Sequence, residues 1–294
     1  RQSGKTTLVK RLFLDAQYVL VDNEPIRKIL ETYDIESYKT LIDTSADRII
    51  IDEIHQLSDP GRCVKILYDQ LDRPQIIITG SSSFHIKNKT GESLAGCKID
   101  YALYPLTFAE YAFQKGMLRE LNFSMFERLT DINSGDLETI PATFDKGAVL
   151  DAVLRYGTYP HLVDHPADEA FLHNFADSLV FKDIIEMQLI EDKRLARELL
   201  RLLGFQIGNL VSHADLANRL HADQRTVRRY IEIFEQSFIL FRLYPFSRNK
   251  RDEIGKAAKV YFYDTGLRNA IVEDFRSMDM RDDRGVLFEN FIVS

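Results

Sequence analysis

Gly4-Lys5-Thr6-Thr7-Leu8-Val9-Lys10-Arg11-Leu12-Phe13 and, further along, Arg48-Ile49-Ile50-Ile51-Asp52-Glu53 decide the fold. The first stretch opens a helix with a glycine, a lysine and two threonines. The glycine lets backbone N–H groups close around an anion, and the helix N-terminus adds its dipole. Lys5 supplies a cation, and the Thr6 hydroxyl can ligate a hard divalent ion. Together these are the end of a phosphate-binding (Walker A) loop. Gln2, Ser3, Gly4, Lys5, Thr6 and Thr7 are the expected nucleotide-binding residues, with ATP and Mg²⁺ as the expected ligands. The other glycine of the consensus would lie upstream of Arg1.

The second stretch is an apolar, β-branched run ending in two acids. A run without alternation suits a strand buried on both faces of a parallel sheet. Ligands bind at the carboxyl ends of such strands. Asp52 is thereby a candidate Mg²⁺ residue together with Thr6. Glu53 is the candidate catalytic group that orients and deprotonates water. Gln75-Ile76-Ile77-Ile78-Thr79-Gly80-Ser81-Ser82-Ser83 repeats the pattern, an apolar run ending in small polar residues. Tyr18-Val19-Leu20-Val21-Asp22 is another strand, so strands and helices alternate as in a parallel α/β domain.

The chain of 294 residues has 45% hydrophobic and 28% charged residues, enough apolar content for more than one packed core. Its net charge of -7 excludes a protein coated for nucleic acid along its whole length. Two cysteines exclude a disulfide scaffold and a four-cysteine zinc site. With no long apolar run and no signal-peptide pattern, the expectation is a cytoplasmic protein without membrane contact. The first residues fall inside the phosphate-loop motif and the last inside an amphipathic pattern. The sequence therefore reads as an internal piece of a longer protein.

Several segments in order resemble one family. They are Arg1 to Thr7, Asp52-Glu53-Ile54-His55, Ile78-Thr79-Gly80-Ser81-Ser82, Glu92-Ser93-Leu94-Ala95-Gly96 and Tyr104-Pro105-Leu106-Thr107-Phe108-Ala109-Glu110. Phe181-Lys182-Asp183-Ile184, Lys259 through Leu267 and Gly285 through Val293 continue the series. The chain is similar to prokaryotic AAA-type ATP-binding proteins whose C-terminal half is a domain of unknown function, DUF4143. The resemblance implies ATP binding and hydrolysis, with Thr79 (or Ser81) sensing the γ-phosphate. Where that family has Ser-Leu-Ala-Gly-Arg, this chain has Cys97. A cysteine supplies no guanidinium for a γ-phosphate, so hydrolysis is less secure than binding.

The sequence divides into a P-loop core over 1–106, a helical lid over 107–205, a winged helix-turn-helix over 206–264, and the start of an endonuclease-like domain over 265–294. Thr107 is an expected N-cap. Arg155, beside the Gly157-Thr158-Tyr159-Pro160 turn, is a candidate lid sensor. Ser212 and Asp223 cap two short helices, and Gln224, Arg225, Arg228 and Arg229 fall outside the apolar stripe of the second. Residues 201–260 carry a net charge of +5 and the remainder -12. That local basic face, with the Arg248-Asn249-Lys250-Arg251 loop, makes DNA a candidate partner through residues 212–251, and a protein the alternative. Glu289 is the acid that an endonuclease-like helix would present.

Overall fold

The computed structural model describes residues 3–71, 74–80, 98–117, 145–178, 190–246 and 257–294. Gln2, Ser81, residues 92–97 with Cys97, Phe181 through Ile184 and the Arg248 to Arg251 loop lie outside them. The chain divides into two compact units. One is Arg1–Leu103 with Ile231–Phe238, and the other is Tyr104–Tyr230 with Ile239–Ser294.

The first unit is built on three short parallel strands. They are β1 (Gln17–Leu20), β2 (Arg48–Asp52) and β3 (Gln75–Ile78), in the order β1-β2-β3. Gln17 pairs with Ile49 and Leu20 with Asp52, while Arg48 pairs with Gln75 and Ile51 with Ile78. The isoleucine run is thus the central strand, and Ile49, Ile50 and Ile51 are at most 1% exposed. Burying each contributes about 1.5–3 kcal/mol. Helix α1 (Lys5–Leu12) precedes β1, and α2 (Glu24–Leu30) and α3 (Ile35–Lys39) join β1 to β2. Helix α4 (Pro60–Gln70) makes the crossover to β3. Its start follows the expected rule, with Asp59 accepting from the Arg62 N–H and Pro60 in the first turn. Leu30, Tyr38, Ile54, Leu57, Cys63 and Leu67 complete the core. Cys63 is fully buried, and desolvation pushes its thiol up to about 12, so it is an inert core side chain.

The second unit begins with the tyrosine-proline segment. Tyr104 stacks on Tyr263, Phe108 meets Phe291 edge-on, and the Leu106 N–H donates to the Thr158 carbonyl. Thr107 and Glu110 form a reciprocal capping box that starts α5 (Phe108–Gln114). Four helices follow among the described residues: α6 (Lys146–Tyr156), α7 (Pro160–Asp164), α8 (Glu169–Asp177) and α9 (Lys193–Phe205). Helix α10 (His213–Leu220) is capped by Ser212, and α11 (Gln224–Gln236), whose residues from Ile231 are assigned to the first unit, starts at Asp223, which accepts from the N–H groups of Arg225 and Thr226. An antiparallel pair of strands, β4 (Leu240–Leu243) and β5 (Lys259–Phe262), comes next. Helices α12 (Thr265–Val272) and α13 (Arg284–Val293) end the chain.

Two polar groups lock this unit. Arg268 donates to the Gly204 carbonyl and pairs with Asp283 at 2.7 Å, and Arg281 grips the same carboxylate at 2.8 Å through two nitrogens. Both arginines are buried. A buried guanidinium is tolerable only when so paired. The second group is Asp264, the N-cap of α12, which accepts from the N–H of Leu267 (2.8 Å) and of Thr158 (2.7 Å). It thereby ties the end of β5 to the turn after α6. The approach is close enough that a Cβ on Gly266 would collide with the Tyr156 carbonyl.

Asp264 is 3% exposed, and desolvation pushes its carboxyl up to about 6 against the pull of its backbone donors. Its folded value lies above the ordinary one, so the native state binds more protons between the two. Its contribution to stability is full below about pH 4 and is lost as pH rises through 6. Asparagine has no proton to lose. Urea denaturation at several pH values should show wild type losing about 2–3 kcal/mol relative to Asp264→Asn between pH 4 and 7. A gap independent of pH would remove this assignment.

Candidate nucleotide site

The phosphate-loop residues and the acids of β2 meet in the first unit. Gly4 has φ 87°, a left-handed conformation that suits glycine, and it turns the chain into α1 without a side-chain cap. The first-turn N–H groups of a helix have no partner within the helix, and such an end suits an anion. Lys5 and Thr6 stand at that end. The Thr6 hydroxyl donates to Asp52 Oδ2 at 2.7 Å.

Asp52 is 1% exposed and collects donors from every side. Tyr18 Oη donates to Oδ2 at 2.5 Å, and Thr79 Oγ1 donates to Oδ1. The Glu53 N–H also reaches Oδ1, at 3.2 Å. Burial alone would raise this carboxyl, but the donors outweigh it and hold Asp52 below its ordinary value. Sheet register explains the convergence. Leu20 pairs with Asp52, and Tyr18, two residues earlier, projects from the same face of β1. Thr79 follows Ile78, the partner of Ile51, so it stands next to Asp52. Its N–H bonds the Ile51 carbonyl and its carbonyl accepts from Ile54.

Glu53 leaves the strand geometry. Its φ of 59° is left-handed, a conformation that costs a non-glycine residue about 1–3 kcal/mol and collects at functional sites. The reversal starts a 3₁₀ turn, Ile54–Gln56. It leaves the Glu53 carboxylate 3.1 Å from His55 Nδ1. Desolvation would raise Glu53, but the His55 contact, aided by the positive charge of Lys5, holds it below its ordinary value. Glu53 is thus ionised at neutral pH and able to accept a proton.

Thr6 and Asp52 offer a hydroxyl and a carboxylate, hard oxygens at a helix N-terminus. Mg²⁺ is commonly bound by one or two protein oxygens, with phosphate and water completing its shell. The donor set fits Mg²⁺. Among the described residues no group of three or more His, Cys, Asp or Glu makes an all-protein metal cage.

The structure therefore brings Lys5, Thr6, Asp52, Glu53 and Thr79 together, with Ser3, Gly4 and Thr7 at the same helix end; Gln2 is outside the described residues. Sequence reasoning missed Tyr18 and His55. Tyr18 was read only as a strand residue, and its role depends on register. His55 stood in a family motif, two residues from Glu53, which was the available signal. Arg155, the candidate lid sensor, lies in the second unit, where its Nε donates to the Phe275 carbonyl and its Nη1 pairs with Asp151. Glu289 accepts from Lys259 at 2.8 Å and Tyr261 at 2.5 Å, binding α13 to β5. Gln224, Arg225, Arg228 and Arg229 are all exposed, and Arg229 pairs with Glu191 at 3.0 Å.

A three-stranded parallel sheet with a helix N-terminus beside its strand-end acids is consistent with a P-loop core. In agreement, residues 1–112 match the family model described as AAA domain. Residues 148–278 match a domain of unknown function, DUF8612, where the resemblance had pointed to DUF4143. An uncharacterized protein of Haemophilus influenzae is 24% identical over 91% of this chain and 66% of its own length. One from Methanocaldococcus jannaschii is 26% identical over 92% of this chain and 60% of its own, and one from Mycobacterium tuberculosis 23% over 100% and 59%. The chain thus spans about 59–66% of these relatives. No helix among the described residues is long and apolar enough to cross a membrane.

Replacing Lys5 with alanine should weaken ATP binding by about 1.5–3 kcal/mol, the scale of a hydrogen bond to a charged group. Calorimetric titration of the folded variant measures this. Unchanged affinity would remove the phosphate-loop assignment.

Proposed function

We propose that this chain binds ATP with Mg²⁺ and hydrolyses it to ADP and phosphate. The observation that supports this most is the meeting of Thr6, Thr79 and the β2 acids at the N-terminus of α1. In this reading the first-turn N–H groups and Lys5 hold the β- and γ-phosphates. Thr6 and Asp52 would hold Mg²⁺, whose charge when bound neutralises the phosphate oxygens. Glu53 takes the proton of the attacking water as its oxygen bonds to the γ-phosphorus and the bond to the β,γ-bridging oxygen breaks. Thr79, already bonded to Asp52, is the residue that senses the γ-phosphate in this reading.

The exposed arginines favour a coupled reading. Helices α10 and α11 with strands β4 and β5 have the element order of a winged helix, and α11 turns Arg225, Arg228 and Arg229 outward. Val227 and Tyr230 are buried on the other side of the helix. In this reading ATP occupancy or turnover repositions that module on DNA, or on a protein partner. A switch that binds ATP and hydrolyses little is the alternative. The Cys97 position, which lacks the arginine of the resembling family, favours it.

Glu53→Gln keeps size and hydrogen bonding but loses the base. Phosphate release should fall about 10²–10⁴-fold with nucleotide affinity retained. No release by wild type, with or without duplex DNA, would establish the switch reading instead. For the helical module, replacing Arg225, Arg228 and Arg229 with alanine should flatten the dependence of log K on log[salt] by about 2–3 units. Fluorescence anisotropy on duplex DNA reads this. An absence of binding at low salt by the ATP-loaded full-length protein would leave a protein as the partner.

A further inference from the structure

Every acceptor position of the Asp52 carboxylate is taken. A carboxylate offers about four lone-pair sites. Here Oδ2 accepts from Thr6 and Tyr18, and Oδ1 accepts from Thr79 and the Glu53 N–H. A divalent cation or its water shell needs one of these sites. Thr6 is itself a cation ligand by chemistry, and the Glu53 N–H belongs to the backbone. Thr79 is nearly buried, at 7% exposure, so little space surrounds it. Tyr18 is different. It sits on the neighbouring strand β1, is only partly buried, and has no part in the phosphate loop. Its ring is also held from α1: Lys10 Nζ lies 3.8 Å from the ring centroid, cation over aromatic face. The phenol is thus clamped at both ends, by Asp52 at its hydroxyl and by Lys10 at its face.

We propose that Tyr18 is a positioning residue that occupies the cation side of Asp52 and must yield its hydrogen bond before a divalent ion can engage that carboxylate. This inference rests on the nucleotide-site reading above. It makes cation entry a competition between a phenol proton and a metal for Oδ2. It also makes Lys10, through the ring, a second control on the same exchange. The phosphate-loop helix then senses the cation through Lys10 and Tyr18 as well as through Thr6.

The test is binding, not turnover. Free Mn²⁺ is followed by electron paramagnetic resonance while it is titrated into the full-length protein saturated with ADP. Tyr18→Phe removes the hydroxyl and keeps the ring for Lys10. It should tighten Mn²⁺ on the order of tenfold, the scale of one hydrogen bond to a charged group. Lys10→Met loosens the ring and should tighten Mn²⁺ by a smaller factor. It keeps the comparison available if Tyr18→Phe does not fold. Melting without metal or nucleotide should show Tyr18→Phe below wild type, because a buried carboxylate loses a donor. ADP bound equally by all three proteins, with Mn²⁺ affinity unchanged or weakened in the variants, would overturn the role of Tyr18 alone. Failure of wild type to bind ADP at all would overturn both this inference and the nucleotide site on which it stands.

Discussion

A single buried carboxylate governs the first unit. Asp52 stands at the carboxyl end of the central strand with 1% exposure. An ion so placed costs several kcal/mol unless its acceptors are satisfied. The chain satisfies them with donors from α1, from β1, from the residue after β3 and from the residue after Asp52 itself. Those four sources are thereby held in register around one group. Stability and chemistry therefore depend on the same group. The packing that buries Ile49, Ile50 and Ile51 places Asp52, and the hydrogen bonds of Asp52 in turn fix where Thr6 and Thr79 stand.

How legible this was follows from what kind of signal each residue carries. The isoleucine run could be read as a doubly buried strand because its pattern has no alternation. Thr6, Asp52 and Thr79 could be placed together because their positions follow local motifs: a helix start and two strand ends. Tyr18 could not. A strand is visible in Tyr18-Val19-Leu20-Val21, but which residue faces Asp52 depends on pairing Leu20 with Asp52, and register is a long-range fact. In the second unit the helix starts were readable from Thr107, Ser212 and Asp223, since a cap is a contact between near neighbours. Asp264, Arg268, Arg281 and Asp283 were not. Charged residues are mostly exposed, so nothing local marks these as interior groups. Only the fold supplies the Thr158 N–H for Asp264 and the shared carboxylate for the two arginines.

Isolated charged residues of the second unit have structural partners. Arg155 spends its guanidinium on a carbonyl and a carboxylate within its own unit. Glu289 has its carboxylate gripped by a lysine and a tyrosine from β5, beside Asn290, whose side chain bonds the Phe262 backbone in both directions. The last helix is thereby stitched to the strand pair by polar contacts. By contrast the arginines of α11 project from a helix whose opposite stripe is buried. Arg229 has an exposed partner in Glu191, and such surface pairs are worth at most about 1 kcal/mol.

The two adjacent acids at the end of β2 show how backbone geometry assigns chemistry. Successive residues on a strand face opposite sides, so continuing β2 would have sent Glu53 away from Asp52 as one more buried side chain. The left-handed turn at Glu53 breaks that alternation, at a cost of about 1–3 kcal/mol. Its N–H then points back to Asp52, while its carboxylate lies against His55. Asp52 is left with its lone pairs filled by hydroxyls and an amide. Glu53 is left ionised, against an imidazole and within the field of Lys5. One strained residue thus places two successive acids in different surroundings. The hydrogen bond from the Glu53 N–H to Asp52 offsets part of the strain that created it.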